Sequence, residues 1–406
     1  MFDVKKKAWY QSSPKGKSVM KENQNQSTPE SFSSLSTEQK IGQLFNIGLR
    51  GTELNAETLE FLKHIQPGGV TIFARNVATT KQLRTFLDGI RNEISVEPIL
   101  SIDQEGGLVD RLRKISTPQP AARKIREHGD LAGARALGRI TGEMLRILGF
   151  NMNFAPVIDI LTEERELLTN GLYSRSFGRT PGEALGYTMV YLHALQATGC
   201  LGCLKHFPGI GAGEVDAHEE IPVIHLSQDD LIAQDLAPYI EYFQLADDRV
   251  KAVMISHGGF PRIDLDQGIA GGKLKPATLS RNIVTKLLRE ELGFKHLAIT
   301  DDLEMGAILK HHTIEEASLL AFEAGNDSLL ICSKPDNIRR AYDGMLEAYN
   351  DGRISDERLN SSLERIENFK SLFQPPPDFD ENRLSELSNE IAQLNEKLGY
   401  SYGGRV

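Results

Sequence analysis

The chain has 406 residues, of which 40% are hydrophobic and 25% are charged, and its formal net charge is −10 at pH 7. This composition supplies a large apolar core, and the acidic balance argues against nucleic acid as a partner, because phosphate binding needs clustered excess Lys and Arg. No apolar run reaches the roughly 20 residues that span a bilayer, so no membrane partner is predicted. We expect a globular protein whose partner is a small molecule.

Cysteine usage and the first residues predict a cytoplasmic location. Three cysteines in so long a chain indicate no disulfide framework, and the polar residues 1–22 lack the apolar core of a secretory signal. Cys200 and Cys203 form a C-x-x-C, but in an apolar strand their side chains point to opposite faces. We interpret them as buried thiols rather than as a redox or zinc site.

Taken in chain order, residues 1–36 are predicted to be a disordered polar leader, because Ser, Gln, Asn, Lys and Pro dominate residues 11–36. Residues 37–373 alternate short apolar runs with helical patterns, which indicates βα units and a parallel sheet. Eight such runs predict an α/β fold, a (β/α)8 TIM-type barrel that forms a single catalytic domain. The predicted strands are 44–48, 69–73, 98–103, 151–158, 199–206, 252–257, 296–301 and 327–332.

Residues 374–406 are predicted to form a Pro-rich linker and a C-terminal helix, because the prolines at 375–377 end the preceding helix. Beyond them, apolar residues recur at the 3,4 spacing of an amphipathic helix. This stripe can pack on its own chain, which we favour, or pair with a second copy as a homodimer. It consists of Leu384, Leu387, Ile391, Leu394 and Leu398.

Polar residues follow several predicted strands at their C-terminal ends, the face where barrel enzymes carry their active sites. Asp301 ends the seventh strand, where a carboxylate can attack an anomeric carbon and form a covalent glycosyl intermediate. The alternative is that Asp302 caps the following helix and Asp301 binds a metal or an arginine. The strand-end residues are Asp103, Asp159, His206, His257 and Asp301.

A candidate acid/base pair lies in the Gly-rich segment 209–220. Asp216 and His218 share a face in extended backbone, so the carboxylate can orient the imidazole and raise its pKa. Three glycines among the first five residues of the segment predict a mobile loop.

Asp103, Arg111 and Arg175 can hydrogen-bond sugar hydroxyls, with a structural ion pair as the alternative. Lys205 and His206 end the fifth strand and can bind hydroxyls or satisfy local carbonyls, and a strand-end lysine also raises a Schiff-base aldolase hypothesis.

His257 ends the sixth predicted strand and is a further candidate for substrate binding, or for a supporting donor. Neither H-x-H nor H-E-x-x-H occurs in the chain, so we predict neither a metal site nor a cofactor.

Together these residues resemble glycoside hydrolase family 3, and within it the β-N-acetylglucosaminidases. The resemblance runs from about residue 41 to residue 373, with five motifs in the expected order. The motifs are Asp103-Gln104-Glu105-Gly106-Gly107, Asn153-Phe154-Ala155-Pro156-Val157-x-Asp159, Arg175-Ser176-Phe177-Gly178, Lys205-His206-Phe207-Pro208-Gly209-x-Gly211 with Asp216-x-His218, and Thr300-Asp301-Asp302.

The resemblance implies a barrel that removes terminal β-linked N-acetylglucosamine with retention, with Asp301 as nucleophile and Asp216 with His218 as acid/base dyad. Many bacterial members of this branch act in the cytoplasm on muropeptide fragments, which implies peptidoglycan recycling; chitooligosaccharides are the other expected substrates. The sugar-binding residues implied are Asp103, Arg111, Arg175, Lys205 and His206.

Two departures from the family pattern leave the aglycone preference open: Ile210 stands where a histidine is usual, and Leu108 where an arginine is usual. A phosphorylase, a β-glucosidase-like enzyme and a non-catalytic sugar-binding protein are the alternative functions. Because Asp216, His218 and Asp301 are all present, we favour an enzyme.

Overall fold

The structure is a computed structural model that describes residues 32–168, 170–245, 249–264 and 274–401. Each of the eight predicted strand regions contains at least one observed strand, so the predicted βα alternation is confirmed. The strands are β1 (Phe45–Gly48), β2 (Gly69–Ile72), β3 (Ile99–Ile102), β4 (Gln104–Gly106), β5 (Val109–Asp110), β6 (Met152–Asn153), β7 (Leu201–Gly202), β8 (Leu204–Phe207), β9 (Ala252–Ile255), β10 (Leu297–Thr300) and β11 (Leu329–Ile331).

The parallel strands pair in the orders β11-β1-β2-β3-β6-β7 and β8-β9-β10. Cys203 is the one residue between β7 and β8, and a parallel bridge joins Ile299 of β10 to Ser328, just before β11. These two links connect the sheets in the ring order of a (β/α)8 TIM-type barrel, as predicted. Every residue of β1, β2, β3, β9 and β10 is buried, as expected for parallel strands covered on both faces.

Helices cover the strands, and several begin at a side chain that caps a free backbone N–H. Ser36, Thr180 and Ser355 each accept a hydrogen bond from the third residue of the helix that follows. Within the described ranges, no helix has both the length and the apolar character needed to cross a bilayer. The helices are α1 (Thr37–Gly42), α2 (Ala56–Ile65), α3 (Thr80–Glu93), α4 (Ala122–His128), α5 (Leu131–Leu148), α6 (Pro181–Gln196), α7 (Gln228–Ala233), α8 (Ala237–Leu245), a π-helical segment (Asn282–Glu291), α9 (Gly306–Leu309), α10 (Ile314–Ala324), α11 (Pro335–Asn350), α12 (Asp356–Lys370) and α13 (Glu381–Leu398).

The hairpin of β4 and β5 interrupts the barrel pattern between β3 and α4. Its turn contains Gly106 at φ 91° and Gly107 at φ 57°, a backbone region that favours glycine. The two glycines therefore allow the tight turn that joins these strands. It brings Arg111 back beside Asp103, which follows β3.

The predicted boundary of the leader at residue 37 is too late. Phe32 and Leu35 are buried in the main core, and the backbone N–H of Phe32 donates to Glu367 Oε1 at 3.2 Å. These two apolar side chains pack on a surface that distant parts of the chain form. The polar composition of residues 11–36 does not reveal this packing. Residues 1–31, the rest of the predicted leader, lie outside the described residues.

The C-terminal helix α13 packs on α5 and α4 of its own chain. All five residues of its apolar stripe are buried there, which agrees with the favoured intrachain interpretation and leaves the stripe no apolar face for the homodimer hypothesis. The linker before the helix is held too. Arg146 donates to the carbonyls of Gln374 at 2.7 Å and Pro375 at 2.6 Å, and Arg84 donates to the carbonyl of Pro377 at 2.8 Å.

Candidate active site

Three predicted site residues lie at the C-terminal ends of different parallel strands. Asp103 follows β3, Lys205 lies within β8 and Asp301 follows β10. Because all strands of the barrel run the same way, their C-terminal ends meet at one mouth. The mouth therefore gathers charged groups that are far apart in the sequence.

A buried cluster of opposite charges occupies this mouth. The Lys205 ammonium lies 2.6 Å from Asp103 Oδ1 and 2.5 Å from Glu105 Oε1, and its side chain is only 2% exposed. Burial disfavours the ammonium, but the two carboxylates outweigh burial and raise the pKa of Lys205 above its ordinary value. The lysine is therefore charged, which argues against the neutral amine that a Schiff-base aldolase requires.

Arg175, from the loop before α6, completes the cluster. Its Nε and Nη2 donate to the two carboxylate oxygens of Glu105 at 2.8 and 3.0 Å. Burial opposes ionisation of Glu105, but Arg175 and Lys205 outweigh it and hold the pKa of Glu105 well below its usual range. Arg175 Nη2 also lies 3.4 Å from His206 Nε2, while His206 Nδ1 lies 2.7 Å from Asp159 Oδ2. His206 thus donates from Nδ1 to the carboxylate and accepts at Nε2.

Arg111 lies at the edge of the cluster with unused donors. Its Nη2 is 3.9 Å from Asp103 Oδ2, and its guanidinium carbon is 5.7 Å from the centre of the Phe73 ring. Its Nε is buried without a hydrogen-bond partner in the described part of the chain. An arginine with free donors beside the partly exposed Asp103 suits the predicted contact with sugar hydroxyls.

Asp301 presents an ionised carboxylate at the end of β10. The backbone N–H of Asp302 donates to its Oδ1 at 2.8 Å. Burial disfavours the carboxylate, but His257, His206 and Lys205 outweigh burial, together with that N–H, and lower the pKa of Asp301. A partly buried carboxylate that stays ionised at neutral pH is the state that a nucleophile requires.

His257 and Asp302 support the strand end that carries Asp301. His257 Nε2 donates to the Asp302 carbonyl at 2.9 Å, its Nδ1 lies 2.8 Å from Thr278 Oγ1, and burial lowers its pKa. Neither nitrogen is left for a substrate hydroxyl, so this geometry favours the supporting role over the predicted substrate contact. Asp302 Oδ1 accepts from the Glu304 N–H at 3.0 Å, and this hydrogen bond caps a turn ahead of α9. Burial raises the pKa of Asp302 to about 7.

Asp216 and His218 form a close pair. Asp216 Oδ1 lies 2.7 Å from His218 Nδ1 and also accepts from the His218 backbone N–H at 2.9 Å. The hydrogen bond to Asp216 raises the pKa of His218, and the same bond lowers the pKa of Asp216. The His218 side chain is 72% exposed, so the ring remains accessible to a substrate.

The loop that carries this pair contacts the segment that follows Asp301. The N–H of Gly306 donates to the His218 carbonyl at 3.2 Å. Glu220, two residues further, lies 3.2 Å from Lys310 Nζ and 2.9 Å from His311 Nε2. Backbone and side-chain contacts therefore link the loop of Asp216 and His218 to the loop that follows Asp301. The mobility predicted for segment 209–220 stays a prediction.

The two departures from the family pattern occupy different environments. Ile210 is 7% exposed and packs with Val157, Leu161 and Leu172, so it supports the base of the loop rather than lining the mouth. Leu108 is 52% exposed in the turn between β4 and β5. Only Leu108 changes an exposed part of the site.

The cysteines and the possible metal ligands of the described residues form neither a redox site nor a metal site. Cys200, Cys203 and Cys332 are free and buried, and burial raises the pKa of each thiol. This agrees with buried thiols of low reactivity. Across the described ranges, no group of three or more His, Cys, Asp or Glu has the geometry to hold a metal ion.

Two residues of the cluster were not assigned a role from the sequence. Glu105 bridges Lys205 and Arg175, and Asp159 holds His206. Both lie within motifs, and Asp159 also follows a predicted strand, so their positions already pointed to the mouth.

The chain matches the model of the glycosyl hydrolase family 3 N terminal domain over residues 36–369. It belongs to glycoside hydrolase family 3. Among solved structures of this family, a β-N-acetylglucosaminidase from Paenibacillus sp. str. FPU-7 is 31% identical with a TM-score of 0.79, over 89% of this chain and 69% of that one. The β-N-acetylglucosaminidase from Thermotoga maritima is 26% identical with a TM-score of 0.71, over 82% of this chain and 68% of that one.

Relatives of known name extend this similarity. The β-hexosaminidase of Neisseria gonorrhoeae (strain ATCC 700825 / FA 1090) is 32% identical over 284 residues, which are 68% of this family 3 chain and 74% of that protein. β-Hexosaminidase A of Pseudoalteromonas piscicida is 29% identical over 370 residues, which are 86% of this chain but only 58% of that protein's length. The family resemblance carried by the motifs is thus confirmed, and α13 lies beyond the residues that the family model matches.

Proposed function

We propose that this family 3 chain is a retaining exo-β-N-acetylglucosaminidase. The observation that carries the proposal is the pairing of an ionised, partly buried Asp301 with His218, whose pKa Asp216 raises. The two residues lie on loops that contact each other at one barrel mouth. The β-hexosaminidase and β-N-acetylglucosaminidase names of the relatives support N-acetylglucosamine as the sugar. The cluster around Lys205 supports a polar ligand with several hydroxyl groups.

The reaction follows from these positions. The His218 imidazolium protonates the glycosidic oxygen while the Asp301 carboxylate attacks the anomeric carbon, which gives a covalent glycosyl ester. Neutral His218 then takes a proton from water, which attacks the ester and releases the sugar with retention. Asp216 keeps the ring oriented and favours its charged form, as an aspartate does for histidine in hydrolase triads.

The first test uses p-nitrophenyl β-N-acetylglucosaminide. We expect Asp301→Asn to lose several orders of magnitude in turnover, and His218→Ala to lose roughly 10²–10⁴-fold, the usual contribution of one general acid. Trapping with a fluorinated glycoside should label Asp301. Near-native turnover of Asp301→Asn, or a label on another side chain, would overturn the nucleophile assignment. A higher rate on the nitrophenyl glucoside would instead favour a β-glucosidase-like specificity.

The natural leaving group and acceptor need a second experiment. We propose muropeptides or chitooligosaccharides as substrates. A phosphorylase is the second candidate, because neutral His218 in the second step does not repel an anionic acceptor such as phosphate. Product analysis with a muropeptide and with chitobiose, each with and without phosphate, separates the two, since only phosphorolysis gives a sugar 1-phosphate. The absence of turnover on every glycoside would favour a non-catalytic sugar-binding protein.

A cytoplasmic location and a role in peptidoglycan recycling complete the proposal. The three unpaired cysteines agree with a reducing compartment. Cell fractionation tests the location, and recovery of the protein outside the cytoplasm would refute it.

A further inference from the structure

Helix α13 contacts more than the barrel helices on which it packs. Ser388 Oγ accepts from the Thr117 backbone N–H at 2.8 Å and lies 2.8 Å from Thr117 Oγ1. Asn395 Nδ2 donates to the Pro118 carbonyl at 2.9 Å. Thr117 and Pro118 belong to the loop between β5 and α4, which also contains Arg111. The C-terminal helix therefore holds a loop of the active-site mouth.

Buried hydrogen bonds continue from this point to Arg111. Gln119, next to Pro118, donates its N–H to Asp110 Oδ2 at 2.8 Å. Asp110 Oδ1 accepts from Gln104 Nε2 at 2.8 Å, and Gln104 Oε1 accepts from the Arg111 N–H at 2.9 Å. Gln104, Asp110 and Gln119 are each at most 2% exposed, so water does not readily replace these bonds. The Arg111 backbone is thereby connected to α13.

The Arg111 side chain has few anchors of its own. Its Nε is buried without a partner among the described residues, its nearest carboxylate is the 3.9 Å contact to Asp103, and it faces the Phe73 ring. The place of the guanidinium is therefore set chiefly by the backbone that carries it. A small displacement of residues 110–112 moves the donors that a sugar would use.

We propose that Ser388 and Asn395 of α13 are positioning residues for the sugar site, acting on Arg111 through residues 117–119. The C-terminal helix is then a functional part of the barrel rather than an appendage. This rests on the proposed function only in taking Arg111 as a sugar contact. A residue that acts in this way changes substrate binding more than chemistry, because neither catalytic candidate lies on this loop.

The test compares two double variants of the same helix. Ser388→Ala with Asn395→Ala removes the loop contacts. Ser385→Ala with Asn389→Ala makes the same chemical changes at positions where Ser385 donates to Glu381 of its own helix and Asn389 is exposed. For the first we expect KM on the nitrophenyl glycoside to rise about three- to tenfold with kcat within about twofold, the signature of lost uniform binding. The second should match wild type.

Two further variants separate positioning from general destabilisation. Ser388→Thr keeps the hydroxyl and should keep a near-native KM, while Asn395→Asp keeps the size, loses the donor and should raise KM. In an Arg111→Ala background, adding Ser388→Ala with Asn395→Ala should change KM by less than about 1.5-fold. If these residues act through Arg111, their effect is lost once Arg111 is absent, because the substitutions of coupled residues are not additive. A full KM increase in that background, or an unchanged KM in the wild-type background, would overturn the proposal.

Hydrogen exchange gives a readout that does not depend on activity. Amides of residues 107–121 should exchange faster in the Ser388/Asn395 variant than in the Ser385/Asn389 control, because local opening becomes less costly. Equal exchange in the two variants contradicts the coupling. If wild type hydrolyses no N-acetylglucosaminide, the proposed function fails, and this exchange experiment still decides whether α13 holds the loop.

Discussion

The substitution Glu105→Gln tests the charge balance of the buried cluster. Glu105 carries a negative charge between two cations, with 2.8 and 3.0 Å bonds to Arg175 and a 2.5 Å contact to Lys205, and it is 6% exposed. Removing one partner of a buried ion pair costs about 3–5 kcal/mol, because the other charge stays buried without compensation. Asp103 still contacts Lys205, so we expect the free energy of unfolding to fall by about 3 kcal/mol, at the lower end of that range.

The effect has a defined dependence on pH. The pKa of Glu105 in the folded protein lies below its ordinary value of 4.5, so its contribution is present above pH 4.5 and is lost as the pH falls through the folded value. Glutamine does not titrate. The difference in stability between wild type and Glu105→Gln should therefore be largest near neutral pH and should narrow in acid.

Urea unfolding followed by circular dichroism at pH 7, 5 and 4 measures this difference. Glu60→Gln, at an exposed position of α2, is the matched control and should stay close to wild type at each pH. A loss below about 1 kcal/mol at pH 7, or a loss that is constant with pH, would refute the reasoning that Glu105 is the charged partner of both cations.

Three further predictions concern other titratable groups. Asp216→Asn replaces the carboxylate, whose hydrogen bond and charge raise the pKa of His218, with a neutral amide, so the alkaline limb of the kcat/KM profile should move to lower pH; an unmoved limb would show that His218 is not the acid. Lys370→Met removes a buried amine whose pKa burial lowers to about 7, so the free energy of unfolding at pH 7, measured in urea, should rise by about 2 kcal/mol. This gain should shrink as the pH rises, because the folded wild type then binds fewer protons at this amine than the unfolded chain does and becomes more stable. A gain that grows with pH contradicts this. Glu220→Gln weakens the contacts with Lys310 and His311, and should speed proteolysis within residues 214–220 relative to Glu60→Gln; equal rates would show that these contacts do not hold the loop.

The barrel was accessible to prediction because its strands are buried on both faces. Such strands appear as short, nearly continuous apolar runs: the predicted strand 252–257 contains the observed β9, and the predicted strand 296–301 contains the observed β10. The hairpin of β4 and β5 was not predicted, since its strands of three and two residues are too short to show alternation. Phe32 and Leu35 were assigned to the leader for a similar reason, because the surface that buries them is built from distant residues.

The candidate site also contains residues that the sequence could place and residues whose role it could not predict. Asp103 and Asp301 directly follow strands of one barrel, and Lys205 and His206 lie within β8, so the parallel order of the strands gathers all four at one mouth. The role of Glu105 depends on tertiary contacts, because its partners Lys205 and Arg175 are 100 and 70 residues away in the sequence. For His257, the position at a strand end left two roles open, and the hydrogen bonds of both ring nitrogens favour support of the Asp302 backbone over a substrate contact.

By itself, the sequence determined which strands form the barrel, which polar residues stand at their ends and which pair, Asp216 and His218, is coupled by local spacing. These features depend on periodicity and short separations, which are encoded in neighbouring residues. Only the tertiary structure decided which charges compensate one another and that α13 holds the loop of Arg111. The charge contacts of Glu105 join residues 70 and 100 positions apart, and the contact between Thr117 and Ser388 joins residues 271 positions apart. No local pattern specifies pairings over such separations, because they arise only when the chain closes on itself.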